Sequence, residues 1–372
     1  MMLRGISCLI AALCLAAAPF LSLAQSGAAH LSALPLPFGL VIAAAVILLI
    51  AAWRGGRTAI AFCGIASLLA STSIVDLLRL PQVAGNAGAG FWSIVIAAWI
   101  AASSAVAGLV EMRPRSLIAR RGLNLAVPLL FGAFLFFLWE IAVRGFGVPS
   151  VLMPAPSAIA ARFFASLPVL ATDFVQTFVR GVLTGYIIGS AAGFLVAIIA
   201  DRVPFLRRGL LPLGNFVAAL PVVGIAPIMV MWFGFDWPSK AAVVVVMTFF
   251  PMLVNTVAGL SAAGKIERDL MRSYGAGYVE TLLKLRLPAA MPFIFNALKI
   301  NSTLALIGAI VAEFFGTPVV GMGFRISIEV ARMSLDMVWA EIALAALAGT
   351  LFYGTIALTE RAVTFWHPSY RS

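Results

Sequence analysis

Charged side chains are scarce in this 372-residue chain. Only 10% of its residues are Asp, Glu, Lys or Arg, where a soluble globular domain carries about 25%. Acidic residues are the rarer sign, 14 against 25 basic, for a net charge of +11. Histidine occurs twice, at His30 and His367, and the three cysteines, Cys8, Cys14 and Cys63, all fall in apolar segments. Such a set offers no metal-ligand spacing and no disulfide framework. A phosphate-binding Gly-x4-Gly-Lys-Ser/Thr loop is missing as well. The nearest string, Ala-Ala-Gly264-Lys265-Ile266, lacks the first glycine and the hydroxyl that would hold Mg²⁺. What abounds is apolar surface: hydrophobic residues make up 63% of the chain, with 27 Phe and 8 Trp, and mean hydropathy is +1.08. Too little polar surface remains to cover a water-soluble particle, so the basic excess is no sign of nucleic acid. The aromatic load excludes disorder. The chain reads as an all-α integral membrane protein.

A hydrocarbon core of ~30 Å takes about 20 mostly apolar residues as a helix. Spans are predicted at 37–53, 59–78, 91–110, 125–143, 174–200, 209–233, 241–260, 292–315 and 338–359. The segment 5–24 follows Arg4 and ends Ser22-Leu23-Ala24-Gln25. It reads either as a signal peptide with a small-x-small cleavage site or as an uncleaved first helix, giving nine or ten spans. No segment alternates as a barrel strand would. Basic residues orient the set. With 111–124 (Arg113, Arg115, Arg120, Arg121) placed in the cytoplasm, alternation brings Arg54 and Arg57 to the same side. Arg202, Arg207, Arg208, the basic loop 261–291 and the tail with Arg361 and Arg371 join them. The C-terminus is then cytoplasmic. The chain divides near residue 120. Residues 25–120 are an apolar extension with no readable role, and 121–372 carry six spans with more structured loops.

The loop 261–291 is the most informative segment. Leu270, Met271, Tyr274, Tyr278, Leu282 and Leu285 recur at helical spacing, so two short amphipathic helices break around Gly275–Gly277, and Pro288 is expected to end the second. An exposed apolar ridge of this kind suits a groove on a soluble partner. It equally suits a helix pair lying on lipid headgroups.

Asp269 precedes Gly275 by six residues, and Leu287-Pro288 follow that glycine by twelve and thirteen. This spacing resembles the EAA motif of ABC-importer permeases, with Leu270 and Met271 in place of its two alanines and Asp269 in place of its usual glutamate. The resemblance runs from about residue 125 to the C-terminus. It is closest to the nitrate/sulfonate/taurine branch through Trp139-Glu140, Met153-Pro-Ala-Pro-Ser157, Arg180-Gly181, Trp232-Phe-Gly234 and Gly321-Met-Gly-Phe324. It implies a six-helix type I importer permease core preceded by three or four extra helices, in a bacterial inner membrane. Asp269, Arg272, Ser273, Gly275, Ala276, Gly277, Leu287 and Pro288 would then form the element that docks into an ATP-hydrolysing subunit. The implied partners are two such ATPase subunits, an extracytoplasmic solute-binding protein and a second copy of this chain. ATP and Mg²⁺ would be bound by the partners, and no cofactor by this chain. The solute would be a sulfonate- or nitrate-like anion or a heterocyclic vitamin precursor. An ion-gradient-driven secondary transporter is the alternative, but it should show mid-membrane charges and inverted repeats, and the sequence displays neither convincingly. Glu140, Arg180 and Glu313 fall near outer span ends, within reach of interfacial water, and Lys299 near an inner end.

Three further patterns stand out. Gly181, Gly185, Gly189 and Gly193 recur every fourth residue and form a packing stripe, for a helix of this chain or of a second copy. Pro212, Pro221, Pro227 and Pro251 break two spans, which marks them as path walls or as kinked packing helices. Asn215, Asn255, Asn296 and Asn301 are candidates for lining that path, or for hydrogen bonds between helices. In the outer segment 316–337, Arg325–Glu329 and Arg332–Asp336 are each four apart and expected to pair on a helix surface. By the family resemblance, Gly321, Gly323 and Arg325 would meet the binding protein; a solvated interfacial helix is the plain reading.

Overall fold

The long apolar runs of the sequence fold as helices in the computed structural model, with one broken in two. It describes residues 2–366 except 28, 55, 113, 115, 219, 317 and 318, and omits the side chains of 2–4, 57, 215 and 218. Among the described residues, eight helices are long and apolar enough to cross a membrane: Pro35–Arg54, Thr58–Leu78, Ala89–Glu111, Leu117–Phe146, Leu167–Arg202, Trp237–Ser261, Tyr278–Glu313 and Leu335–Val363. The expected span 209–233 is instead two pieces, Pro204–Ala218 and Val222–Phe233. Pro221 caps the second with an extended backbone. Proline disfavours helical geometry in the residue before it, so the run breaks there.

The chain forms two compact units, Met1–Ile159 and Ala160–Ser372. The first of these compact units includes the helix 117–146. In the first unit, α1 (Met2–Ala17) packs on α2 (Pro35–Arg54) and α4 (Ala89–Glu111), burying Cys8, Ala11, Ala12 and Leu15. Between α1 and α3 (Gly56–Leu78), Cys8 Sγ lies 3.2 Å from Cys63 Sγ. The far end of α5 (Leu117–Phe146) joins this unit through its backbone. Gly85 N donates to Arg144 O at 2.8 Å and Ala87 N to Gly145 O at 3.1 Å. A Cβ on Gly147, whose φ is +66°, would stand 2.8 Å from Gly85 Cα, so only glycine fits this crossing. Trp92 stacks on Phe146 (centroids 4.2 Å apart) and Trp99 on Phe134 (5.5 Å). Those contacts hold α5 to α4 and explain where the units part.

The second unit is built on three helices. After the short α6 (Pro156–Ala165), α7 (Leu167–Phe174) runs through a π-helical stretch, Val175–Leu183, into α8 (Thr184–Arg202). The glycine stripe faces α11 (Trp237–Ser261) of the same chain, which answers the question of its partner. A Cβ on Gly185 would lie 2.5 Å from Val244 Cβ, one on Gly189 would strike Thr248 Oγ1, and one on Gly193 would strike Phe249 O. α11 meets α14 (Leu287–Glu313) just as closely, with Gly259 against Ala290. Asn301 of α14, fully buried, donates to Ser190 Oγ (3.0 Å) on α8 and to Thr248 O (2.8 Å) on α11. α16 (Leu335–Val363) closes the group: Phe352 packs edge-on to Phe178 and Tyr186, and Glu360 pairs with Lys299 at 2.7 Å. Lys299 is thus tied to a neighbouring helix and does not snorkel to the end of its own.

Replacing Gly189 by leucine forces α8 and α11 apart. Overpacking of this kind costs about 1–3 kcal/mol, so the purified variant should unfold at a lower temperature in detergent. An unchanged midpoint would contradict the close approach.

Candidate functional site

The segment 261–291 has the helix–turn–helix form its spacing predicts. α12 (Lys265–Ser273) ends in a turn where Gly275 adopts φ +72°. Ala276 N donates to Met271 O (3.0 Å) and Gly275 N to Arg272 O (2.9 Å), which satisfies the last carbonyls of α12. α13 (Tyr278–Thr281) follows, and a π-helical turn, Leu282–Arg286, carries it into α14. Pro288 therefore does not end this helix. It sits in the first turn of α14, where a missing N–H does little harm.

The ridge divides in two. Tyr278, Leu282 and Leu285 turn inward, while Ile266, Leu270, Tyr274, Val279 and Leu283 stay exposed, Ile266 at 83% and Tyr274 at 82%. Asp269 and Arg272 lie beside that face, 3.7 Å apart and open to solvent, where an ion pair contributes little. Beneath the loop sits a clamp. Arg286 Nη1 and Nη2 donate to the two oxygens of Asp201 at 2.7 and 2.6 Å, and its Nε donates to Leu260 O at 2.9 Å. Tyr278 Oη donates to Asp201 at 3.2 Å, and the Arg202 guanidinium lies over the Tyr278 ring at 4.7 Å. A planar guanidinium bound through two donors fixes direction as well as distance. The loop is anchored to the ends of α8, α11 and α14 alike. Asp201 was absent from the sequence expectations; its partner lies 85 residues away.

At the opposite end of α14 the chain has gathered buried polar groups. Glu313, 3% exposed, accepts from Thr177 Oγ1 and from Gly323 N, each at 2.7 Å. Asp173, fully buried, accepts from Gly321 N (2.7 Å) and Arg325 Nε (2.8 Å), and Thr177 Oγ1 accepts from Met322 N (2.8 Å). All three backbone donors belong to the start of α15 (Met322–Ala331). Its unsatisfied N–H groups and positive dipole end thus meet two carboxyls and a hydroxyl. Gly321 and Gly323 are required here, because a Cβ on either would collide with the Glu313 side chain. Lys240, 2% exposed, donates to Phe235 O (2.7 Å), Ser239 Oγ (3.2 Å) and Gly316 O. Asp236, which caps α11, is held below the usual carboxylate range by hydrogen bonds from the Gln176 amide and then from Trp237 N.

These contacts correct four expectations. Glu313 is enclosed and does not reach interfacial water. Arg325 pairs with Asp173 rather than Glu329. Arg332 pairs with Glu329 (3.3 Å), and Asp336 with Arg162 (3.6 Å). Gly321 and Gly323 are buried, so the surface open to a soluble partner is offered by Val319, Val330 and Met333 instead. Sequence reasoning overlooked Asp173, Thr177 and Lys240, whose partners are distant in the chain. Glu341 is buried, and its carboxyl accepts no hydrogen bond among the described residues.

Between the two ends, α9 (Pro204–Ala218) and α10 (Val222–Phe233) border a pocket of about 90 Å³. It is lined by Val217, Leu220, Val222, Ile225, Met247 and Phe250 beside Pro251. Asn255 donates to Pro251 O at 2.8 Å. Pro227 is half-buried within α10, and the exposed Pro221 starts it. Asn301 proves to be an interhelical hydrogen-bonding residue sealed from any path. The Asn215 side chain lies outside the described residues.

Residues 181–365, all within the second unit, match the family described as "Binding-protein-dependent transport system inner membrane component". The formylaminopyrimidine transport permease of Halalkalibacterium halodurans is 31% identical over 251 residues, 66% of this chain and 98% of that protein. The riboflavin transport system permease of Chloroflexus aurantiacus is 28% identical over 261 residues, 70% of this chain and 97% of that protein. The taurine transport system permease of Escherichia coli is 27% identical over 175 residues, 47% and 63% respectively.

The clamp under the loop should be sensitive to loss of one partner. Asp201→Asn leaves a poorly hydrated guanidinium without its counter-charge, at a cost of about 3 kcal/mol. Limited trypsin digestion of the folded protein should then cut faster at Lys265, Arg268 and Arg272. Unchanged cleavage would show that Asp201 does not anchor the segment.

Proposed function

The chain belongs to the family of inner-membrane permeases of binding-protein-dependent ABC transporters, and on that footing we propose that it is the solute-conducting subunit of an ATP-driven importer, energised through the 261–291 segment. The observation that carries this reading is the exposed ridge on a clamped base. Five large apolar side chains face solvent, on a turn fixed by Gly275 and on helices tied to α8, α11 and α14. A surface of this size left open on a rigid mount suits a groove in a soluble subunit. The chain has no phosphate loop of its own, so the ATPase subunits are separate, two to a complex built on a pair of permease copies. The ridge then lies in the cytoplasm, in keeping with the basic residues around it, and the C-terminus with it.

Work done on the ridge reaches the other side through packed backbone. α8, α11 and α14 share close glycine contacts and the Asn301 bridge, so they move as one body. The far end of that body carries the carboxyls that hold α15 and the loop before it. A push at the ridge is thereby delivered to the outer mouth, where the solute-binding protein would sit. The path runs beside the break between α9 and α10.

For the solute, a heterocyclic vitamin precursor is favoured over an anion. Two near-full-length relatives are named for formylaminopyrimidine and riboflavin. The pocket at the break is apolar, and none of its lining side chains among the described residues is a cation that would neutralise an anion. A sulfonate-like solute remains the second reading, through the taurine relative.

Co-expression with the ATPase subunit tests the docking assignment. Ile266→Asp together with Tyr274→Asp removes two exposed anchors. Each buried anchor of this size contributes about 2 kcal/mol, so retention of the ATPase should fall several hundredfold and ATP-dependent uptake should cease. Retained subunit binding with retained uptake would reject the assignment.

A further inference from the structure

The first unit contains a cavity that the transport reading does not use. It measures about 340 Å³ and lies among α3, α4 and α5, within the size range of small-molecule sites. Trp99, Phe131 and Phe134 form one wall, and Ile60, Gly64 and Val106 another. Its hydroxyls are already engaged: Ser67 Oγ donates to Ala98 O and Ser103 Oγ to Ile100 O. An apolar cavity without free polar partners stays dry, so water does not fill it. An α-helix is also too wide for it, at about 10 Å across with side chains.

The cavity opens sideways. Leu68, Leu130 and Phe131 line it and are exposed, at 68, 49 and 45%. All three walls are candidate membrane spans, so this opening faces hydrocarbon. Arg120 lies eleven residues before Phe131 on α5, three turns away on the same face and about 16 Å along the axis. That distance is close to half the ~30 Å hydrocarbon thickness. Arg120 and Arg121 are both exposed. In sequence, the residues just before α5 include further basic positions and one acidic residue, Glu111, so the net charge of this stretch is positive. A basic rim one leaflet away from an apolar slot matches a lipid with an anionic head and a hydrocarbon tail.

We propose that this cavity is a phospholipid site, in which one acyl chain of an anionic lipid enters between α3, α4 and α5 while its phosphate lies at Arg120 and Arg121. The first unit would then carry a lipid-reading surface.

Native mass spectrometry of the full chain, purified in mild detergent and titrated with phosphatidylglycerol or phosphatidylcholine, tests this. The unmodified protein should retain one phosphatidylglycerol, preferred over phosphatidylcholine. Gly64→Leu fills the slot; no atom lies within 4 Å of a Cβ there, so the variant should fold while losing that lipid. Ala102→Phe, from the α4 wall, does the same by another route. Arg120→Gln with Arg121→Gln leaves the slot open and should reduce the preference for the anionic lipid by about twenty-five-fold, at roughly a fivefold factor for each arginine. Thermal unfolding without added lipid should show both slot-filling variants as stable as the parent. Equal retention in the parent and in the folded slot-filling variants would overturn the proposal. Equal affinity of the parent for the two lipids would overturn it too, as would finding a non-lipid molecule in the slot.

Discussion

Backbone contact between α8 and α11 is the constraint on which the transport unit depends. It exists because Gly185, Gly189 and Gly193 carry nothing between the two helices. In lipid no hydrophobic force draws helices together, and close packing with interhelical hydrogen bonds takes its place. The Asn301 amide can reach α8 and α11 together only because they are this near. Gly259 then brings α14 onto α11 by the same means.

Each end of this body finishes in buried charge, and the two ends differ in kind. Below, Asp201 and Arg286 form a bidentate pair that orients a loop whose outer face is apolar and open. Above, Asp173 and Glu313 receive the amino end of α15. Buried ion pairs are weak sources of stability, but each of these joins elements far apart in sequence and sets their direction. In the proposed importer the lower pair would fix where a partner's push enters, and the upper group what that push moves.

Much of this was legible in the sequence, where the signal is local. Span existence follows from apolar length, and the loop from the Asp269–Gly275–Leu287–Pro288 interval. The glycine stripe is readable from a period of four, though its partner is not. What escaped was non-local. Asp201 and Arg286 are 85 residues apart, and Asp173 and Arg325 are 152 apart; neither pairing leaves a trace in spacing. Helical spacing does not hold in the outer segment, because the buried Asp173 takes Arg325 and α15 ends before Asp336, which belongs to α16. The split of 209–233 at Pro221 was visible as proline content but not as a chain break. The change in span and loop character near residue 120 is local and readable, whereas the packing of α5 onto α4 by aromatics and glycine crossings is not.

The central claim is that the glycine-packed helices move as a single body during transport. Gly181 and Ala309 test it directly, since a Cβ at Gly181 would lie 3.8 Å from the Cβ of Ala309, which is disulfide distance. In a chain with Cys8, Cys14 and Cys63 replaced by serine, Gly181→Cys and Ala309→Cys should cross-link on oxidation and leave ATP-driven uptake at the level of the reduced protein. Uptake that stops on oxidation and returns with reductant would show that these helices must separate, and would contradict the account.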